Sequence, residues 1–212
     1  MFCMANPTPF GNYEFEFTGG ALCLDFANTM PDQKAPETRG EKLNTYADLL
    51  SWAVQSGELS VPDARKLMSA ANHFPAKAAS ALRRARELRQ AVYSIFSALA
   101  RETAPATGDL DLLNRFWKSA SIHSAVSHAS GKFQKIWVLD EDAEFDRPWW
   151  PVAASAMELL TSGEVNLARE CASDRCSWLF LDTSRNRSRR WCDMKTCGNR
   201  EKAKRHYEKS KG

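Results

Sequence analysis

Four cysteines near the C-terminus are the residues of this 212-residue chain whose spacing most directly predicts chemistry. They form two C-x4-C pairs separated by fifteen residues: Cys171, Cys176, Cys192 and Cys197. Two close pairs joined by a short loop can place four thiolates at the corners of a tetrahedron, which is the geometry that zinc prefers. Because no histidine stands in a ligand position beside them, the pattern predicts one closed, structural Zn²⁺ site per chain.

The charge of the chain is distributed unevenly along its length. Residues 171–212 hold twelve Lys and Arg against five Asp and Glu, a formal charge of +7, whereas the other 170 residues carry −4. Four thiolates on one Zn²⁺ would remove about two units of charge from this tail, which would stay basic. The asymmetry indicates a tail that binds a polyanion, and the alternative is a solvated tail that keeps the protein in solution.

The segments beside the cysteines supply side chains suited to phosphate. After Asp182, serines and an asparagine alternate with arginines, and hydroxyl and guanidinium groups both donate hydrogen bonds to phosphate oxygens. A basic helix is expected over 199–211. The candidate nucleic-acid-binding residues are Arg185, Arg187, Arg189, Arg190, Arg200, Lys202, Lys204 and Arg205. For Arg190 and Arg200 the alternative is pairing with Asp182 or Asp193, which would brace the module instead.

Asp25 and Asn28 interrupt an otherwise apolar stretch near the N-terminus. A carboxylate and an amide in an apolar pocket can orient a small molecule, so both are candidate ligand-binding residues for an effector. The alternative is a local role, in which either side chain caps a helix or ties down the loop over 30–40.

Most elements that must position these residues are predicted to be helices. Apolar residues at helical spacing predict helices over 43–55, from a Ser60 cap, over 75–102, from an Asp109 cap, over 148–160 and from 164 to 171. Alternating residues predict a strand over 13–18 and a β-hairpin over 122–139, followed by an acidic loop over 140–146. The predicted fold is mainly α with a few β-strands (α+β): a helical body over 1–165 and a zinc-knuckle module over 166–212.

Two runs resemble known families. The segment from Cys171 to the final Cys197-Gly198-Asn199-Arg200 resembles the CGNR zinc finger, over about residues 168–211. The run from Phe17 to Thr29 is similar to the amino-terminal ABATE domain that accompanies this finger, a domain described as a stress-induced transcription regulator. The resemblance implies that the four cysteines are zinc ligands and that the protein regulates transcription.

The favoured function is a DNA-binding transcriptional regulator whose helical body forms a homodimer or senses a small molecule. The alternative is a small-molecule-binding or protein-interaction protein with a purely structural zinc clip. An enzyme is not expected, because the sequence shows no nucleophile–base pair, no phosphate-binding glycine loop and no HExxH motif. No membrane partner is expected either, and the lack of a signal-peptide pattern predicts a cytoplasmic protein.

Overall fold

The computed structural model describes residues 10–11, 13–37, 39–129, 131–138 and 145–211. Within them the helices are α1 (Leu22–Ala27), α2 (Tyr46–Gln55), α3 (Val61–His73), α4 (Pro75–Ala100), α5 (Thr107–Ser121), α6 (Trp150–Thr161) and α7 (Asn199–Lys209). The strands are β1 (Ser124–Ala129), β2 (Lys132–Trp137), β3 (Ala168–Glu170) and β4 (Leu179–Leu181). This confirms the predicted α+β class. None of the helices in the described part of the chain combines enough length and apolar character to span a bilayer.

α4 lies at the centre of the helical body. Its buried side chains, among them Leu82, Leu88, Val92 and Phe96, recur every three or four residues and form one apolar face. Helices α1 and α5 and strand β3 all pack against α4, and α6 packs against both α1 and α5. The long periodic pattern predicted over 75–102 therefore becomes the helix around which the body is built.

The helix starts follow local side-chain chemistry in two places and depart from the prediction in a third. Thr45 and Asp48 form a capping box at the start of α2, and the predicted cap Ser60 accepts a hydrogen bond from the Asp63 N–H at 3.2 Å. Asp109 was predicted to cap α5 and does not, because that helix begins two residues earlier, with Ala106 at the N-cap. Asp109 lies instead in the first turn, where its negative charge is favourable beside the helix N-terminus.

The strand predicted over 13–18 is wrong. Phe15 is buried there, but Tyr13 and Phe17 are 38% and 40% exposed, so the segment has no continuous apolar face. The Gln55 side chain supplies the hydrogen bonds that a neighbouring strand would otherwise make: its Oε1 accepts from the Phe15 N–H at 2.9 Å, and its Nε2 donates to the Tyr13 carbonyl at 2.8 Å. With these backbone groups satisfied by one side chain, the segment needs no partner strand.

The predictions after α5 were partly confirmed. β1 and β2 form the antiparallel hairpin, with Gly131 at the turn in the left-handed region, φ +75°. Residues 140–144 of the acidic loop predicted over 140–146 lie outside the described residues, as does residue 139 at the end of the predicted hairpin. The helix predicted from 164 to 171 is wrong: a short 3₁₀ turn (Gly163–Leu167) gives way to β3, whose pairing with β4 satisfies its backbone instead.

β4 lies between two separate apolar cores. Leu179 and Leu181 belong to the core of the helical body, whereas Phe180 packs with Trp178 and the four cysteines in a second, small core. This alternation is the period of two expected of a strand, with both faces buried. The division into domains over 1–165 and 166–212 stays a prediction, and this strand joins the two parts through side chains on its opposite faces.

Candidate metal centre and its basic face

The four predicted cysteine ligands meet at one point. Their Sγ atoms all lie within 4.8 Å of one another, and Cys192 Sγ is 3.7 Å from both Cys176 Sγ and Cys197 Sγ. A tetrahedral Zn²⁺ with Zn–S bonds of about 2.3 Å has sulfurs roughly 3.8 Å apart, whereas a disulfide needs about 2.05 Å. All four side chains are at most 1% exposed. This closed set of four thiols fits one structural zinc.

Backbone hydrogen bonds place the first three cysteines. The Cys171 N–H donates to the Trp178 carbonyl at 2.8 Å, one step beyond the β3–β4 ladder. The Ala172 N–H donates to the Arg190 carbonyl at 2.8 Å, which fixes the segment before Cys192 against the first cysteine pair. The two C-x4-C pairs are thus held together by main-chain contacts as well as by their sulfurs.

The last ligand lies in a π-helical turn, Met194–Gly198, that leads directly into α7. Asp193 caps this turn by accepting a hydrogen bond from the Thr196 N–H at 3.0 Å. At Gly198 a Cβ would come within 2.8 Å of the Met194 sulfur, so the absence of a side chain permits the close approach. Asn199 Nδ2 donates to the Lys195 carbonyl at 3.2 Å and steadies the turn.

Two guanidinium groups lie against the sulfurs. Arg200 Nη2 is 3.1 Å from Cys197 Sγ, and Arg39 Nη1, from the loop between α1 and α2, is 3.5 Å from Cys176 Sγ. Hydrogen bonds with the other three thiols and the nearby Arg200 charge lower the pKa of the Cys197 thiol. Arg200 therefore favours the thiolate form of Cys197 that a metal ligand requires.

Comparison with known proteins agrees with this geometry. The ABATE family model, described as "Putative stress-induced transcription regulator", matches residues 20–163, which is more than half of the chain. The chain belongs to the ABATE family. A second family model, the CGNR zinc finger, matches residues 168–210 and includes all four cysteines of the metal centre. A search of curated proteins found no match to this chain.

The ABATE segment docks onto the CGNR finger through the loop between α1 and α2. The buried Asp32 carboxylate accepts hydrogen bonds from the Ser177 N–H and hydroxyl, both at 3.1 Å to Oδ1. Lys34 Nζ donates to the Cys171 carbonyl at 2.8 Å and pairs with Glu170 Oε1 at 2.9 Å. The loop was predicted correctly as a loop, but its contact with the metal centre was not predicted from the sequence.

A tryptophan of the CGNR finger receives two cations from the same ABATE loop. The Arg39 guanidinium lies 3.9 Å from the centre of the Trp178 ring, and Lys42 Nζ lies 4.6 Å from it. Burial lowers the pKa of Lys42 to about 8. No local sequence signal marks these residues, because they belong to an irregular loop and their partners are more than a hundred positions away.

Asp25 and Asn28, the candidate effector-binding residues, make hydrogen bonds within the protein. Asp25 Oδ1 accepts from the Gly19 N–H at 2.7 Å. Asn28 bonds both backbone groups of Leu179 in the finger, so it ties α1 to β4 and not to the loop over 30–40. Asn28 is the C-cap residue of α1 through its backbone N–H, and the side chain of neither residue caps this helix. These hydrogen bonds favour a structural role for both residues.

Asp182 organises the arginine loop of the finger. This buried carboxylate accepts hydrogen bonds from the Ser184 N–H at 3.0 Å, the Ser184 hydroxyl at 2.5 Å and the Arg189 N–H at 2.9 Å. Burial acts to raise the pKa of Asp182, but these hydrogen bonds hold it below its usual range. Arg187, at the tip, adopts a left-handed conformation with φ +47°.

Three of the eight candidate nucleic-acid-binding residues make close contacts inside the protein. Arg189 donates to the Trp191 carbonyl at 3.0 Å and to the Cys192 carbonyl, and its guanidinium lies 4.5 Å from the centre of the Phe180 ring. Arg200 braces the module, as the alternative interpretation predicted. Its contact is with the Cys197 sulfur, however, and not with an aspartate. Lys204 Nζ pairs with Asp174 Oδ2 at 2.6 Å, across to the first cysteine pair.

The other five candidates are exposed on the finger: Arg185, Arg187, Arg190, Lys202 and Arg205. Among the described residues none of these five forms a salt bridge. The Arg190 and Arg205 guanidinium groups lie 5.5 Å and 5.7 Å from the centre of the partly buried Trp191 ring. Arg190 therefore stacks on Trp191 and does not pair with Asp182 or Asp193. Among the arginines of the loop, Arg189 turns inward, and the sequence of the loop did not indicate this.

Proposed function

We propose that this protein is a DNA-binding transcriptional regulator in which one structural zinc organises a basic face on the CGNR finger. The observation that carries the proposal is the set of five exposed cations defined above, which form no salt bridge among the described residues. They lie on the loop that leads into Cys192 and on the helix that follows Cys197. Cations presented in this way neutralise phosphates, and the release of counterions from DNA drives such binding. The ABATE family description supports a role in transcription under stress.

In this proposal the metal centre and the exposed cations have separate roles. The metal centre and its small core hold the arginine loop and α7 in place, because the second core contains few apolar side chains besides the cysteines. Arg189, Arg200 and Lys204 stabilise that arrangement, and the exposed cations contact phosphate oxygens. Base recognition is not part of the proposal, because phosphate contacts position a protein on DNA without reading its sequence.

The test is duplex DNA binding by the full-length, zinc-loaded protein over a range of salt concentrations. Five phosphate contacts predict a slope of about −4.5 for the logarithm of affinity against the logarithm of salt concentration. The double variant Arg185→Ala/Arg187→Ala should weaken binding and reduce the slope by about two. The matched control is Arg65→Ala/Arg83→Ala, which removes the same charge from exposed positions of the helical body.

No binding at low salt, or equal binding by the two double variants, would count against the proposal. The alternative would then stand, in which the zinc is a purely structural clip in a protein that binds a small molecule or another protein. The proposed role requires no catalytic step, so we propose that the protein is not an enzyme. Homodimer formation and a cytoplasmic location remain predictions.

A further inference from the structure

A cavity of about 640 Å³ lies in the ABATE segment, on the helical body and apart from the metal centre. Its walls come from α1, the turn after α2, strand β2, the 3₁₀ turn Arg147–Trp149 and α6. No residue of the CGNR finger lines it. Its volume falls within the roughly 300–1,000 Å³ that small-molecule sites occupy.

One wall of the cavity carries a buried cationic donor without a partner. Arg147 Nη1 is buried and makes no hydrogen bond in the described part of the chain. A buried guanidinium N–H left unpaired is costly, so such an atom indicates an acceptor that completes the site. Arg147 is also one of the residues that line the cavity, so its guanidinium group lies beside the space that a ligand would occupy.

The other charged residues that line the cavity form no hydrogen bond with Arg147 Nη1 among the described residues. Lys135 Nζ and Glu158 Oε1 lie 2.5 Å apart, so this pair is neutral overall and leaves Arg147 and Glu58 as the other charged residues of the wall. Glu58 also lines the cavity but forms no salt bridge with Arg147 among the described residues. Burial raises the pKa of Glu58, whereas the positive charges of Arg147 and Lys135 act to lower it.

The rest of the wall is suited to an apolar body. The Trp137 ring, 5.9 Å centre to centre from the ring of buried Trp150, lines the cavity beside Ile136, with Leu22 and Pro151 also in the wall. An indole ring offers a flat face on which an aromatic ring can stack. The cavity thus combines one unpaired guanidinium with one aromatic face, and these two features define the kind of ligand it can accept.

We propose that this cavity binds a small carboxylic acid with an aromatic body, whose carboxylate accepts hydrogen bonds from Arg147 and whose ring packs against Trp137. A guanidinium and a carboxylate form charge-assisted, often bidentate hydrogen bonds, which makes this pair more selective than a lysine contact. The inference is independent of DNA binding, because the cavity and the basic face share no residue.

The experiment measures binding of phenylacetate and indole-3-acetate to the full-length, zinc-loaded protein by titration calorimetry. The corresponding uncharged amides serve as shape-matched controls. We expect both acids to bind and the amides to bind at least about tenfold more weakly, since the amide loses the charge-assisted pair. Failure of both acids to bind at millimolar concentration, or equal binding of acids and amides, would overturn the proposal.

Variants separate the two contacts. Arg147→Met should lower the affinity for both acids at least about tenfold, whereas Arg83→Met, at an exposed arginine of α4, should not change it. Since Arg147→Met can also disturb folding, circular dichroism must show an unchanged helical content. Trp137→Leu provides the second test: it should weaken indole-3-acetate more than butyrate, a carboxylate with no ring. An Arg147→Met protein that is folded and binds the acids normally would refute the assignment.

Discussion

The side-chain amide of Asn28 forms two hydrogen bonds with the backbone of Leu179: Nδ2 donates to the Leu179 carbonyl at 2.9 Å, and the Leu179 N–H donates to Oδ1 at 2.8 Å. Both residues are buried, at 3% and 0% exposed. The Asn28 side chain thus bonds β4 in the way that the backbone of a neighbouring strand would. The contact joins the first helix of the ABATE segment to the strand that carries part of the metal-centre core.

Replacing Asn28 by alanine should destabilise the whole protein. The Leu179 N–H and carbonyl would lose their partners in a buried position, at a cost of about 2–4 kcal/mol in the free energy of unfolding. Urea unfolding followed by circular dichroism measures this cost. The matched control is Asn44→Ala, at an exposed asparagine, which should change the free energy by less than about 0.5 kcal/mol. Similar effects of the two variants would show that the Asn28 contact is energetically unimportant.

Cys192→Ser should abolish zinc binding and loosen the finger while the helical body stays folded. Cys192 Sγ is 3.7 Å from two other ligand sulfurs, and the second core is too small to persist without the metal. Zinc content by mass spectrometry should fall from about one per chain to near zero, and trypsin should cut first in the arginine loop. Cys23→Ser, a change at a buried cysteine outside the cluster, should keep its zinc. Retained zinc in the Cys192 variant would contradict the ligand set.

Asp174→Asn should strengthen DNA binding if the proposed function is correct. Lys204 Nζ lies 2.6 Å from Asp174 Oδ2, and both side chains are about half exposed. Removing the carboxylate takes one negative charge off the finger and frees Lys204 for phosphate, so the salt slope should steepen by up to about one. Asp111→Asn, an equal charge change on exposed α5, should leave the slope unchanged. A salt slope that Asp174→Asn does not alter would exclude Lys204 from the DNA contact.

Asp25 should make the stability depend on pH. Burial raises the pKa of its carboxyl to about 7, against about 3.9 in the unfolded chain. Between about pH 4 and pH 7 the folded protein therefore holds a proton that the unfolded chain releases, so this contribution to stability is lost as the pH rises, by up to about 1.4 kcal/mol per unit. Above about pH 7 the loss is complete.

Asp25→Asn tests this titration, because the amide stays neutral and its Oδ1 can still accept from the Gly19 N–H. The variant should gain stability relative to the parent protein as the pH rises from 5.5 to about 7. Urea unfolding of both proteins over this range gives the difference. Any loss of zinc at low pH affects the two alike and cancels in the comparison. A difference that is independent of pH would show that Asp25 does not titrate in this window.

The sequence predicted the features that depend on residues close together in the chain. The stripe through Leu82, Leu88 and Val92 is local, and so are the Ser60 cap and the cysteine spacing, and all of them appear in the structure. The strand predicted over 13–18 was wrong because a distant side chain, Gln55, satisfies its backbone. Local periodicity contains no information about such a partner.

The same limit applies to the candidate site. The four sulfurs were predicted, but Arg39, which lies beside Cys176 Sγ, comes from a loop 137 positions away. Within the arginine loop the sequence does not distinguish Arg187 from Arg189. The structure distinguishes them, because the Arg189 N–H donates to Asp182 and the Arg189 guanidinium lies against the Phe180 ring. Which arginine turns inward is thus decided by neighbours that fold around it.

The alternation of β4 has a consequence for building chimeras. Leu179 and Leu181 fill the helical body, whereas Trp178 and Phe180 fill the small core beside the cysteines. A finger transplanted from another protein would bring its own side chains at positions 179 and 181, and these side chains would have to pack in the core of a different helical body. Successful grafts should therefore exchange α1 together with β4, or keep the host residues at 179 and 181 and replace the remainder.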